Sequence, residues 1–164
     1  MAGNLLSNEI NVSVLFVCMG NICRSPTAQG VFERLVEEHQ LAGAIEIDSA
    51  GTHAYHVGEP PDRRAQEAAT RRGFSLVDIR ARRVAAVDFE RFHHIIAMDE
   101  DNLVILQEQA DPAQRDKIRL FLEFGSGPET EVPDPYYGGA KGFERVLDLV
   151  EDASRGLLEL LRQR

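Results

Sequence analysis

The sequence predicts an α/β fold: a single three-layer domain in which a four-stranded parallel sheet is flanked by helices. Short apolar runs alternate with longer segments of helical period, and the connections between them are short. Such alternation points to a parallel sheet covered by helices. The chain has 164 residues, 43% hydrophobic and 27% charged, which suits one globular domain and excludes collagen-like, disordered and disulfide-framework chains. No repeat or linker divides it, so residues 1–164 are read as one domain, with residues 1–10 expected to form a flexible N-terminal extension.

Each element follows from its pattern. Residues 12–17 read as a buried strand. Residues 25–39 read as a helix with Ala28, Val31, Phe32, Leu35 and Val36 on one face. Ser25 suits its N-cap and Pro26 its first position. Residues 45–47 form a short second strand. A helix over 61–72 is stopped by Gly73. Residues 93–98 are the third strand, 100–109 the helix after it, and 117–121 the fourth strand. Beyond a loop rich in Gly and Pro, residues 142–161 make a long amphipathic helix that aligns Phe143, Val146, Leu147, Val150, Ala153, Leu157 and Leu161.

Charge and cysteine usage narrow the function. A net charge of −9 argues against nucleic acid as a partner. Residues 62–83 nevertheless carry seven arginines against three acids, which is either a solvated face or a patch that steers an anionic substrate. No apolar run approaches the roughly 20 residues of a membrane helix. The first ten residues also lack the basic start of a secretory signal, so a cytoplasmic protein with no membrane partner is expected. Two cysteines, Cys18 and Cys23, are too few for a disulfide framework and point to chemistry.

In open parallel sheets, ligands bind beyond the carboxyl ends of the strands. The first such end leads into Cys18-Met19-Gly20-Asn21-Ile22-Cys23-Arg24-Ser25-Pro26. This loop runs into a helix N-terminus, where unpaired N–H groups and the dipole favour anions. Gly20 and Asn21 tolerate left-handed backbone angles and let it curl into a phosphate-binding loop. Cys18 at the rim of that field is expected to be ionised at neutral pH. Arg24 offers two parallel N–H donors to a tetrahedral oxyanion. A thiolate, a ring of amides and a guanidinium together make a phosphoryl-transfer site that needs no metal or cofactor, and no His/Cys cluster has zinc-ligand spacing.

The segment VLFVCMGNICRSP resembles the phosphate loop of the low molecular weight protein tyrosine phosphatase family. Asp48-Ser49-Ala50-Gly51-Thr52, Met98-Asp99-Glu100-Asp101-Asn102 and Asp134-Pro135-Tyr136-Tyr137 resemble further segments of that family, in its order. The resemblance implies hydrolysis of phosphotyrosine or aryl phosphates through a phosphocysteine. Cys18 would be the nucleophile, Arg24 the phosphoryl ligand and Asp134 the general acid and then base. Burial under a bound aromatic ring would keep Asp134 protonated for the first step. Met19, Gly20, Asn21, Ile22, Cys23 and Ser25 would line the substrate, Ser25 donating a hydrogen bond to Cys18. Tyr55 and Tyr136 would wall the ring, and Ser49 would hold Asn21. Cys23 would also be a redox partner of Cys18. His53 and His56 fall in a loop near this site without an assigned role. Ile79 stands where many relatives carry a histidine, so Asn21 must be held by Ser49 or other groups.

Three alternative readings compete with this one. An arsenate reductase-like enzyme needs further thiols, and no cysteine follows Cys23. Action on phosphoarginine is disfavoured by the bulk of Ile22. A phosphocysteine carrier or binding module would not combine Arg24 with Asp134. The expected partner is a tyrosine-phosphorylated protein or aryl phosphate, and the protein is expected to be a monomer or to self-associate weakly through Tyr136 and Tyr137.

Overall fold

The computed structural model describes residues 11–135 and 138–163. The N-terminal extension expected at 1–10, Tyr136 and Tyr137 lie outside them. Strand β1 (Val12–Cys18) leads through the cysteine loop into helix α1 (Arg24–Glu38), then β2 (Ile45–Gly51), α2 (Arg63–Arg71), the single-turn α3 (Asp88–Arg91), β3 (His94–Ala97), α4 (Glu100–Gln109), β4 (Ile118–Leu120) and α5 (Gly139–Arg162). Tight 3-10 turns flank β4 at Pro112–Lys117 and Phe121–Phe124.

The four strands pair in the order β2-β1-β3-β4, all parallel. Side chains of a strand alternate between faces, and both faces of β1 are apolar. Val14 and Phe16 enter one core with α1, α2 and α5. Leu15 and Val17 enter a second core with Phe89, Phe92 and Leu106 from α3, its C-terminal neighbour and α4. That is the expected three-layer arrangement. Phe16 anchors the larger core, edge-on to Phe32 at 5.7 Å and tilted against Phe121 at 5.1 Å.

Several boundaries move from expectation. Strand β2 runs on through Asp48 and Ser49 to Gly51, paired with β1 along its whole length. Its polar residues hid it: Ser49 faces the cysteine loop and α1, while Asp48 pairs with Arg82 and Glu46 with Arg91. Helix α2 starts at Arg63, with the Asp62 carboxylate accepting from the Arg64 amide at 2.8 Å. Ser25 is not an N-cap: α1 begins one residue earlier, Cys23 holds the cap position, and no side chain caps it.

Candidate active site

Beyond the carboxyl end of β1 lies a cavity of about 230 Å³ lined by Cys18, Met19, Gly20, Ile22, Cys23, Arg24, Tyr55, His56 and Asp134. Three segments build it. The loop after β1 is the floor, the loop after β2 brings Tyr55 and His56, and the segment before α5 brings Asp134 to the exposed rim. Packing at the floor is tight: a Cβ on Gly51, at the end of β2, would meet the Met19 carbonyl at 2.7 Å.

The loop is held open by contacts on its outer side. The Cys18 and Met19 carbonyls accept from the Thr52 and His53 amides at 2.9 and 3.0 Å, and the Ile22 carbonyl from the Asp62 amide at 2.7 Å. Asn21 takes the left-handed conformation, φ 57°, which asparagine tolerates better than most residues. Its Oδ1 accepts from the Arg82 amide at 3.0 Å, and its Nδ2 donates to Ser49 Oγ at 3.0 Å and Ser25 Oγ at 2.8 Å. Ser49, on β2, thus accepts from Asn21. The Arg82 amide, two residues past the buried Ile79 neighbour Arg80, does the rest.

Cys18 Sγ sits 3.0 Å from Ser25 Oγ and 3.4 Å from the Ser25 amide, which donates to it. Arg24 is only 4% exposed. Its Nη1 donates to Asp99 Oδ2 at 2.7 Å and to the Val132 carbonyl at 3.0 Å. Burial works against the guanidinium charge, but Cys18, Asp99 and Asp134 outweigh it and its pKa is raised. Burial does the opposite for Cys23. Its thiol is pushed up to about 12, chiefly by desolvation and further by Asp62, Cys18 and Asp134, so it is a neutral thiol. Both cysteines are free.

Of the residues expected at the site, Cys18, Met19, Gly20, Ile22, Cys23, Arg24, Tyr55 and Asp134 line one cavity. Asn21, Ser25 and Ser49 lie behind it. Tyr55 is 70% exposed and stacks on His53, the rings 5.1 Å apart and 5° from parallel. His56 lines the cavity, with Nδ1 2.6 Å from Glu59 Oε2. Sequence reasoning missed two partners. Asp99 falls in the segment 98–102 without an assigned role, and Gln29 falls off the apolar face of α1 although Ser49 donates to it at 2.6 Å. The arginines of 62–83 are largely taken by acids: Arg63 by Glu67, Arg71 and Arg72 by Glu144, and Arg82 by Asp48 and Asp88. Among the described residues no group of three or more His, Cys, Asp or Glu is placed to hold a metal, and no helix is long and apolar enough to cross a membrane.

Comparison with known proteins places this geometry. The family model of the low molecular weight phosphotyrosine protein phosphatases matches residues 13–164. A low molecular weight protein-tyrosine-phosphatase of Streptomyces coelicolor is 43% identical over 155 residues, 92% of this chain and 93% of its own. The human low molecular weight phosphotyrosine protein phosphatase is 36% identical over 156 residues, 94% of this chain and 98% of its own. A crystal structure of a protein tyrosine phosphatase from Entamoeba histolytica, with Hepes in the active site, superposes with a TM-score of 0.90 at 42% identity, covering 93% of this chain and 98% of that one. With the match running from the second residue of β1 to the C-terminal residue, the chain belongs to the low molecular weight phosphotyrosine protein phosphatases, a family of cysteine-based hydrolases.

Proposed function

We propose that in this chain Cys18 is the nucleophile, Arg24 the phosphoryl-binding cation and Asp134 the general acid and base of phosphotyrosine hydrolysis. The observation that carries this reading is convergence: sulfur, guanidinium and carboxylate line one cavity, with the Ser25 hydroxyl and amide on the sulfur. A planar trans peptide turns its N–H away from its carbonyl. With the Met19 and Ile22 carbonyls bonded outward, the Gly20 and Cys23 amides are aimed toward a phosphoryl group in the phosphate-binding loop. Arg24 spends Nη1 on Asp99 and Val132, and offers Nε and Nη2 to phosphoryl oxygens.

The reaction proceeds by two displacements. Cys18 Sγ attacks phosphorus as the bond to the phenolic oxygen breaks, and Asp134 gives that oxygen its proton. Asp134 then takes a proton from water as the water oxygen attacks phosphorus and the Cys18 thiolate leaves. Charge moving onto the equatorial oxygens is met by loop amides and Arg24. Tyr55 at the cavity, and Tyr136 as the resemblance implies, would hold the ring of a phosphotyrosine side chain or aryl phosphate. After oxidation of Cys18 to a sulfenic acid by peroxide, Cys23 would condense with it, releasing water and forming a disulfide. We read the protein as cytoplasmic, monomeric or weakly self-associating, and without a nucleic-acid partner. Its two free thiols and its acidic net charge support that setting.

The test is turnover of para-nitrophenyl phosphate. Cys18→Ser abolishes it, Arg24→Ala weakens both binding and rate, and Asp134→Ala slows it while an acid quench traps more phosphoenzyme than in wild type. Normal turnover by the Cys18→Ser enzyme would overturn the assignment.

A further inference from the structure

A buried polar chain runs from Gln29 on α1 to Cys18. It begins at an oxygen that can only accept. Ser49 Oγ lies 2.6 Å from Gln29 Oε1, so the Ser49 hydroxyl donates there. Its lone pairs are left for Asn21 Nδ2, at 3.0 Å. The second Nδ2 hydrogen goes to Ser25 Oγ at 2.8 Å. Ser25 therefore accepts from Asn21 and keeps its own hydrogen for an acceptor. Cys18 Sγ at 3.0 Å is nearer than the Ala50 carbonyl at 3.4 Å.

Two contacts fix the sense of this chain. The Asn21 amide cannot turn over, because Oδ1 accepts from the Arg82 amide at 3.0 Å. The Gln29 amide cannot turn over either, because Nε2 donates to Glu33 Oε2 at 3.3 Å, one turn along α1. Gln29 is buried and does not line the cavity. A buried amide is costly unless both its ends are paired, and here both are.

We propose that Gln29, oriented by Glu33, is a positioning residue that holds the Ser49–Asn21–Ser25 chain in the sense that points a hydroxyl hydrogen at Cys18 Sγ. The inference rests on the reading of Cys18 as nucleophile. A hydrogen aimed at the sulfur favours the thiolate that attacks in the first step and departs in the second. Gln29 reaches the chemistry only through Ser49.

Gln29→Met tests this, since it keeps the length of the side chain and removes both polar ends. We expect kcat for para-nitrophenyl phosphate to fall about tenfold, the effect of losing one charge-assisted hydrogen bond. KM should stay within about twofold, because Gln29 does not touch substrate. Alkylation of Cys18 by iodoacetamide at mildly acidic pH, which reads the thiolate fraction, should slow by a similar factor. The exchanged pair Gln29→Glu with Glu33→Gln puts an accepting oxygen back against Ser49 and restores both quantities. If Gln29→Met does not fold, Glu33→Leu, which leaves Gln29 unoriented, moves both in the same direction by a smaller factor. Wild-type kcat and alkylation rate in whichever variant folds overturn the inference. So does a loss of kcat with unchanged alkylation that the exchange does not restore, since packing alone would produce it. The underlying reading fails separately, through a Cys18→Ser enzyme that still turns over, whatever Gln29 does.

Discussion

Asp99 holds Arg24 with one carboxylate oxygen and caps a helix with the other. Oδ2 lies 2.7 Å from Arg24 Nη1, and Oδ1 accepts from the Asn102 amide at 2.8 Å. The first turn of α4, just past the end of β3, is thereby tied to the guanidinium beside Cys18. A buried cation needs such a partner: removing one member of a buried pair strands the other charge. Asp99 thus sets where Arg24 points.

Replacing Asp99 with serine separates its two tasks, because serine is a good N-cap but carries no charge. Asp99→Ser should lose about 3–5 kcal/mol of stability, the cost of leaving the Arg24 charge buried without its partner, while kcat/KM falls about tenfold to a hundredfold, as expected for an arginine that has lost its orienting partner. Asp99→Ala should lose about 1 kcal/mol more, the usual worth of an N-cap. Steady-state kinetics and thermal melts of the two variants check this. Equal kcat/KM in Asp99→Ser and wild type would refute it.

Cys23 makes stability depend on alkaline pH. Burial raises its thiol from an ordinary 9.0 to about 12, so the native fold strongly favours the neutral form. A group whose folded pKa is raised contributes fully below its unfolded pKa, and that contribution is lost as pH climbs through the folded value. The window is therefore pH 9 to about 12. Wild type should lose more stability than Cys23→Ala when urea melts at about pH 8 are compared with melts at about pH 11, by an amount on the order of 2–4 kcal/mol. Parallel curves for the two proteins would rule this out.

The sequence was legible where chemistry leaves a local signature, and opaque where it depends on contacts across the fold. The Cys18–Arg24 loop could be read because strand, glycine, asparagine and helix start all lie within one short stretch. Ser25 was read as a cap by the same local logic, yet its hydroxyl is needed by Cys18 and Asn21, and the fold leaves the cap position to Cys23. Gln29 could not have been found locally. A glutamine off the apolar stripe of α1 reads as a surface residue, and only the pairing of β2 with β1 brings Ser49 over it. Asp99 preceding Glu100 and Asp101 reads fully as a helix cap, which it also is, so nothing in its neighbourhood pointed 75 residues back to Arg24.

Arg72 holds α2 to α5. It meets Glu144 at 2.7 Å, Asp148 at 3.0 Å and Glu151 at 2.6 Å, three acids spaced along one face of the long helix. Arg72→Met should cost about 1–2 kcal/mol at low salt, more than an isolated surface pair because one side chain serves three partners, and less in high salt. Acid should erase part of the effect. Arg72 and Arg71 hold the Glu144 carboxyl below its ordinary 4.5, so its contribution is present above that value and fades as pH falls beneath it. Denaturant midpoints of wild type and variant should therefore converge on acidification, while kcat stays at the wild-type value.

Gly156 reverses the usual rule for glycine in helices. In an exposed helix, alanine would be favoured over glycine by about 1 kcal/mol. Here α5 crosses the Phe121–Phe124 turn so closely that a Cβ on Gly156 would collide with the Phe124 carbonyl oxygen, a backbone atom that cannot swing aside. The same glycine lies between Ser154 and Leu157, both fully buried, so the helix cannot retreat without opening the larger core. Overpacking of this kind costs about 1–3 kcal/mol and, against backbone, falls at the upper end, which outweighs the propensity gain. Gly156→Ala should therefore lower the melting temperature by about 4–8 °C for a domain of this size. Gly43 provides the control, since a Cβ there meets nothing within 4 Å. Gly43→Ala should leave the melting temperature within about 2 °C of wild type, the scale of a surface substitution. Equal melting temperatures for the two variants would show that the helix crossing yields, and that the close approach is not what requires glycine at 156.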